Sequence, residues 1–105
     1  MFIVCVAACP TGIAHTYMAA EALELLGKEY GWEIKIETQG STGIENEITE
    51  EDILRADGAI LASEIMVDGL ERFESLTVLE CAVSDPIKQP KAVYETMMYL
   101  INNND

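Results

Sequence analysis

Positive charge is scarce in this chain. Six lysines and arginines stand against 19 acidic residues, a formal charge of −13 over 105 residues. Such a field repels polyanions, which argues against nucleic acid and anionic lipid as partners and against direct membrane insertion. Residues 1 to 27 hold no lysine or arginine at all, and no Gly-Lys-Ser/Thr occurs. A Walker loop for a nucleoside triphosphate is therefore excluded. Cysteine is also sparse and odd in number, at three. No Cys-x-x-Cys occurs, and Cys5, Cys9 and Cys81 lack a second ligand pair, so neither a dithiol redox centre nor a metal is expected. The start MFIVCVAACP lacks the basic region of an export signal. With unpaired cysteines, this predicts a reducing, cytoplasmic setting. No apolar run reaches the roughly 18 residues that a membrane helix needs.

What is present fits one domain, residues 1–105, with the tail at 103–105 expected to be disordered. A chain of this size buries roughly two-thirds of its unfolded surface and folds without disulfides or metal. Strand-like and helical patterns alternate, which predicts an α/β fold with a parallel sheet. The run FIVCVAA at 2–8 is continuously apolar, as in a central strand covered on both faces. A helix follows at about 15–30. Its face is Ala19, Ala22, Leu23, Leu26 and Tyr30, with Gly31 as its stop and Gly27 as a mild internal cost. In WEIKIETQG, Trp32, Ile34 and Ile36 alternate with Glu33, Lys35 and Glu37, predicting an edge strand with one wet face. ITEEDILRADG reads as a short helix capped by Thr49. GAILAS and LTVLECAV read as two further strands. SDPIKQPKAVYETMMYLI reads as the last helix, with Pro90 near its first turn and Val93, Met97 and Leu100 on one face.

A central first strand and an edge second strand predict four parallel strands in the order 2-1-3-4, with helices on both faces. This is a small three-layer α/β sandwich. Open sheets of this kind bind ligands outside the carboxyl ends of the strands where the chain direction reverses. Cys9 ends the first strand and so falls at that crevice. The loop after it, PTGIA, opens a helix whose first N–H groups lack internal partners. Such a turn is an anion site, and its field favours thiolate over thiol. The dipole alone contributes roughly 0.3–1 kcal/mol to a bound anion. Five residues separate Cys9 from His15, the single histidine. That spacing matches the Cys-x5-Arg of cysteine phosphatases, but histidine replaces the arginine that clamps a phosphoryl transition state. Carriage of phosphate on sulfur fits better than its hydrolysis. His15 reads equally as a residue that merely starts the helix. Thr11 and Thr16 serve as turn and cap residues, as phosphate donors, or both. TQGSTG, with Gln39, Gly40 and Ser41, reads as a turn that would flank the same crevice. Ile13, Met66 and Val67 read either as docking surface or as packing under loops.

ACPTGIAHTYMAAEAL closely resembles the signature of the cytoplasmic B component (EIIB) of fructose-family sugar phosphotransferase systems. IKIETQGSTGIENEIT resembles the next family block, and ADGAILASEIMVDGLERF continues it through Asp68, Arg72 and Phe73. The resemblance implies a Rossmann-like fold and a protein-phosphohistidine–sugar phosphotransferase. Cys9 would carry the phosphoryl group, with the loop Pro10, Thr11, Gly12, Ile13, Ala14, His15 and Thr16 around it. The implied partners are an A component (EIIA) as donor and a membrane C component (EIIC) holding a fructose-like sugar as acceptor. No cofactor or metal is implied. The chain is expected to be a monomer, with A and C functions on separate polypeptides. A phosphatase and a phosphorylation-dependent regulatory module are the competing readings.

Overall fold

A computed structural model describes residues 1–9, 13–40 and 43–103, with side chains from residue 15 onward in the second span. The chain runs β1 (Phe2–Ala8), α1 (Ile13–Tyr30), β2 (Glu33–Gly40), β3 (Gly43–Glu45), α2 (Glu50–Arg55) and β4 (Gly58–Ser63). A 3-10 turn (Leu70–Phe73), β5 (Val78–Cys81), α3 (Ser84–Lys88) and α4 (Pro90–Asn102) complete it.

β1 is apolar throughout because both of its faces are covered. Phe2, Val4, Val6 and Ala8 pack with Ile48, Ala59, Leu61, Val67 and Phe73 on the α2 side. Ile3 and Cys5 pack with Leu23 and Leu26 of α1, Val93 and Met97 of α4, and Trp32 between α1 and β2. Ala7 and Cys9 continue that second face, against Ala19 and Val83. The alternation of a strand thus fixes which side of the sheet Cys9 faces.

The sheet order is β3-β2-β1-β4-β5. β1 pairs parallel with β2 and β4, and β4 pairs parallel with β5. The four long strands follow the expected 2-1-3-4 order, but the sheet is five-stranded and mixed rather than four-stranded and parallel. β3 runs antiparallel to β2 through Thr38↔Glu45, Gln39↔Ile44 and Gly40↔Gly43. It is three residues long and exposed throughout, so it carries no hydrophobic pattern to read. Its pairing also corrects the edge assignment at the carboxyl half of β2 and puts Gln39 and Gly40 in a strand. Ser41 lies outside the described residues.

The wet face expected on β2 fails at its far end. Glu33 is exposed and Lys35 half-buried, but Glu37 has no solvent exposure. The Arg72 guanidinium meets Glu37 in two bonds, Nη1–Oε1 at 2.8 Å and Nη2–Oε2 at 3.0 Å. The Ile48 N–H and the Gln39 amide complete the shell at 2.8 and 2.6 Å. A buried carboxylate is tolerable when it is paired and hydrogen-bonded in this way.

The expected last helix is two. It breaks at Gln89, where α3 ends and α4 begins with Pro90 at its first position. Proline lacks the N–H that a continuous helix needs and is favoured at a helix start. Val93 and Met97 are buried as expected, while Leu100 is half-buried. Asn103 caps α4 through its N–H to the Tyr99 carbonyl, and residues 104–105 lie outside the described residues.

Thr49 caps α2 in a reciprocal box with Asp52, as its spacing predicts. Gly31 leaves α1 with φ +74°. Gly27 is a packing requirement as well as a propensity cost. A Cβ there would stand 2.8 Å from Ile34 Cδ1 and 3.1 Å from the Trp32 carbonyl.

Candidate functional site: the cleft at Cys9

Cys9 follows the last residue of β1, the strand that lies between β2 and β4 in the sheet. Its residue is 6% exposed, and it packs with Ala7, Ala19 and Val83. A cleft of about 530 Å³ opens beside it. Cys9 comes from the end of β1, His15 and Met18 from the first turns of α1, and Glu64 from the end of β4. Val83 and the α3 residues Ser84, Ile87 and Lys88 close the far wall.

The expected neighbourhood of Cys9 and His15 is therefore present. Both line one cleft, although their residue numbers alone could not fix the geometry between them. His15 is exposed, in the first turn of α1. That turn itself holds no acidic side chain. Thr16 is buried. Pro10, Thr11 and Gly12 lie outside the described residues, as do the side chains of Ile13 and Ala14. Gln39 is buried and faces elsewhere. Its amide donates to the Asp68 carbonyl at 3.0 Å and its oxygen accepts the Asp68 N–H at 2.9 Å. Gly40 is the exposed end of β2.

Two charged residues in the cleft escaped the sequence reading. Glu64 is anchored at both ends: its N–H donates to the Ala8 carbonyl at 3.1 Å, and its Oε1 accepts the Val83 N–H at 3.2 Å. Lys88 ends α3. Reading 84–101 as one helix hid it; the break at Gln89 makes α3 a separate piece that closes the cleft. Proline two residues after Lys88 was the available signal.

The other cysteines behave differently. Burial, then the nearby Cys81, raise the Cys5 thiol far above its ordinary range. Burial, then Asp85, push Cys81 up to about 12. Neither is a thiolate near neutral pH. Of the apolar docking candidates, Met66 is 84% exposed while Val67 is buried in the core. Met18, Ile65 and Leu70 are exposed as well. Among the described residues no helix is long and apolar enough to cross a membrane.

An open α/β sheet with a cysteine at the reversal of strand order, beside a helix start, defines a small Rossmann-like domain with a thiol at its ligand crevice. The model for the family described as "PTS system, Lactose/Cellobiose specific IIB subunit" matches residues 4–96, and the chain belongs to this phosphotransferase-system IIB family. It is 52% identical over 91 residues to the PTS system fructose-like EIIB component 2 of Escherichia coli K12, covering 87% of this chain and 86% of that one. It is 42% identical over 95 residues to the PTS system fructose-specific EIIABC component of Mycoplasma pneumoniae, covering 90% of this chain but 14% of that protein. A crystal structure of a predicted fructose-specific IIB from Escherichia coli superposes with a TM-score of 0.94 at 40% identity, over 99% of this chain and 92% of that one. The chain is thus a IIB component of the fructose type, a class whose general reaction is phosphoryl transfer to a sugar.

Proposed function

We propose that Cys9 is the phosphoryl carrier. The observation that carries this reading is the thiol's position, at the carboxyl end of the central strand and opening on a cleft walled by the first turn of α1. In the first step the Cys9 thiolate attacks the phosphorus of a phosphohistidine on the A component. The nitrogen–phosphorus bond breaks, and the donor imidazole, protonated on its other nitrogen, leaves as the neutral ring. The N–H groups at the start of α1 receive the equatorial oxygens, with Pro10 to Thr16 as the cradle. Phosphoryl transfer requires mainly positioning and charge stabilisation, so little further side-chain chemistry is needed.

In the second step a sugar hydroxyl held by the membrane C component attacks the phosphorus. The sulfur–phosphorus bond breaks, the thiolate is restored, and the hydroxyl proton passes to a base on that component. The fructose-like names of the relatives support a fructose-like sugar. A relative that joins A, B and C components in one name supports A and C components as donor and acceptor. The exposed Met18, Ile65 and Met66 beside the cleft are the docking surface proposed for these two successive partners.

The test is incubation with a phosphorylated A component, followed by intact mass. A gain of one phosphoryl group, mapped to Cys9, is expected. No gain, or an equal gain by Cys9→Ala, would overturn the reading. Steady release of inorganic phosphate from an aryl phosphate would replace it with a phosphatase. No arginine lines the cleft among the described residues, and without that fork hydrolysis lacks its usual clamp.

A further inference from the structure

Phosphorylating Cys9 places up to two negative charges in the cleft that the Glu64 carboxylate also lines. Glu64 lines the cleft and is held there through the Ala8 carbonyl and the Val83 N–H. The chain as a whole carries −13, so the long-range field opposes the same event. The α1 dipole offers only partial charge against this. A positive side chain near the sulfur would offset this repulsion, and two side chains of basic type line the cleft: His15 and Lys88. Of the two residue types, lysine is the one that carries a full charge across the neutral range.

Three of the six basic residues, Lys28, Lys88 and Lys91, enter no ion pair among the described residues, and of these Lys88 alone lines the cleft. Lys35 pairs with Asp52, Arg55 with Glu33, and Arg72 with Glu37. Lys88 enters no ion pair or hydrogen bond among the described residues, although Glu64 shares its cleft. It is exposed to solvent and so accessible to an anion entering the cleft. A lysine also suits carriage. An ammonium holds a phosphoryl oxygen as a point charge, without the planar fork by which arginine grips a transition state.

We propose that Lys88 binds the phosphoryl group on Cys9, offsets Glu64, and sets how far Cys9 is phosphorylated. This rests on the carrier reading above. Its bland alternative is that Lys88 merely complements the carboxyl end of α3, a role that predicts changes in stability and none in anion chemistry.

The experiment uses the full chain with Lys88→Met and Lys88→Arg, and has two arms. In the first, Cys9 is alkylated by anionic iodoacetate and by neutral iodoacetamide, with the site identified by peptide mass. The ratio of the two rates reports the local field and cancels accessibility and thiolate fraction. Lys88→Met should lower that ratio about tenfold, as loss of one nearby charge implies, and Lys88→Arg should restore it. In the second, the fraction phosphorylated at equilibrium with a phosphorylated A component should fall about tenfold in Lys88→Met and recover in Lys88→Arg. An unchanged ratio in the first arm overturns the proposal, and so does unchanged phosphorylation in the second. If the wild-type chain gains no phosphoryl group, the carrier reading fails, and the alkylation ratio alone decides whether Lys88 is an anion-binding residue of this cleft. A melting temperature that falls with no change in either ratio or phosphorylation assigns Lys88 to the bland role.

Discussion

The carboxyl edge of the sheet has two flanks that use the same residue types differently. On the β2 flank, Glu37, Gln39, Arg72 and Asp68 form a closed network. Glu37 receives both arms of Arg72, and Arg72 also donates to the Gly69, Ile48 and Asp68 carbonyls. On the β4 flank, Cys9, His15, Glu64 and Lys88 share an open cleft, and no ion pair links Glu64 to Lys88 among the described residues. A saturated network fixes geometry, because each group would leave a buried partner stranded if it moved. An unsaturated one leaves charge available for a ligand. The proposed carrier role assigns chemistry to the second flank and register to the first.

The largest expected effect tests that division directly. Cys9→Ala should abolish phosphoryl gain on intact mass and cost only about 1 kcal/mol of stability, because a small buried side chain is replaced by a smaller one. Persistent phosphorylation would move the chemistry elsewhere. Next, Glu37→Ala strands the Arg72 cation and should cost about 3–5 kcal/mol in urea denaturation, while each folded molecule still accepts phosphate. A loss under about 1 kcal/mol would break the comparison. Gln39→Ala removes an amide that bridges Glu37 and Asp68, at about 2 kcal/mol, with transfer per folded molecule within about twofold. A large loss of transfer at full stability would instead return Gln39 to the site.

Acid should sharpen the contrast further. Burial raises the Glu37 carboxyl, but the Arg72, Ile48 and Gln39 donors outweigh it and hold it below its ordinary value. Asp52 is held at about 2 by the Lys35 ammonium and the Thr49 N–H. Both carboxyls are depressed, so their contribution is present above the ordinary carboxylate range and lost as pH falls through the folded values. Stability from pH 7 to pH 2 should decline on the acid side, and Asp52→Asn should flatten that limb between about pH 4 and pH 2. Smallest of all, Glu33→Gln breaks the exposed pair with Arg55, at about 0.5 kcal/mol or less by the same denaturation.

Local patterns were the most legible parts of the fold. β1 was readable because both of its faces are covered, and Thr49 because its capping box closes within three residues. The four-strand order followed from one buried and one alternating strand. Features that depend on distant partners were not readable. The burial of Glu37 depends on Arg72, 35 positions away. β3 has no apolar alternation, and Lys88 reaches the cleft only because the last helix breaks. At the site, Cys9 was legible from a strand end followed by a glycine loop, whereas Glu64 and Lys88 belong to no local motif.

The stitching of Glu64 has a consequence for how the chain tolerates changes of length. Through one residue, the exits of β1 and β4 and the turn after β5 are tied into a single frame: Ala8 carbonyl, Glu64, Val83 N–H. An inserted residue at 64–65 or 82–83 would carry one wall of the cleft out of phase with the other two. The frame behind the cysteine is a fixed-length splice.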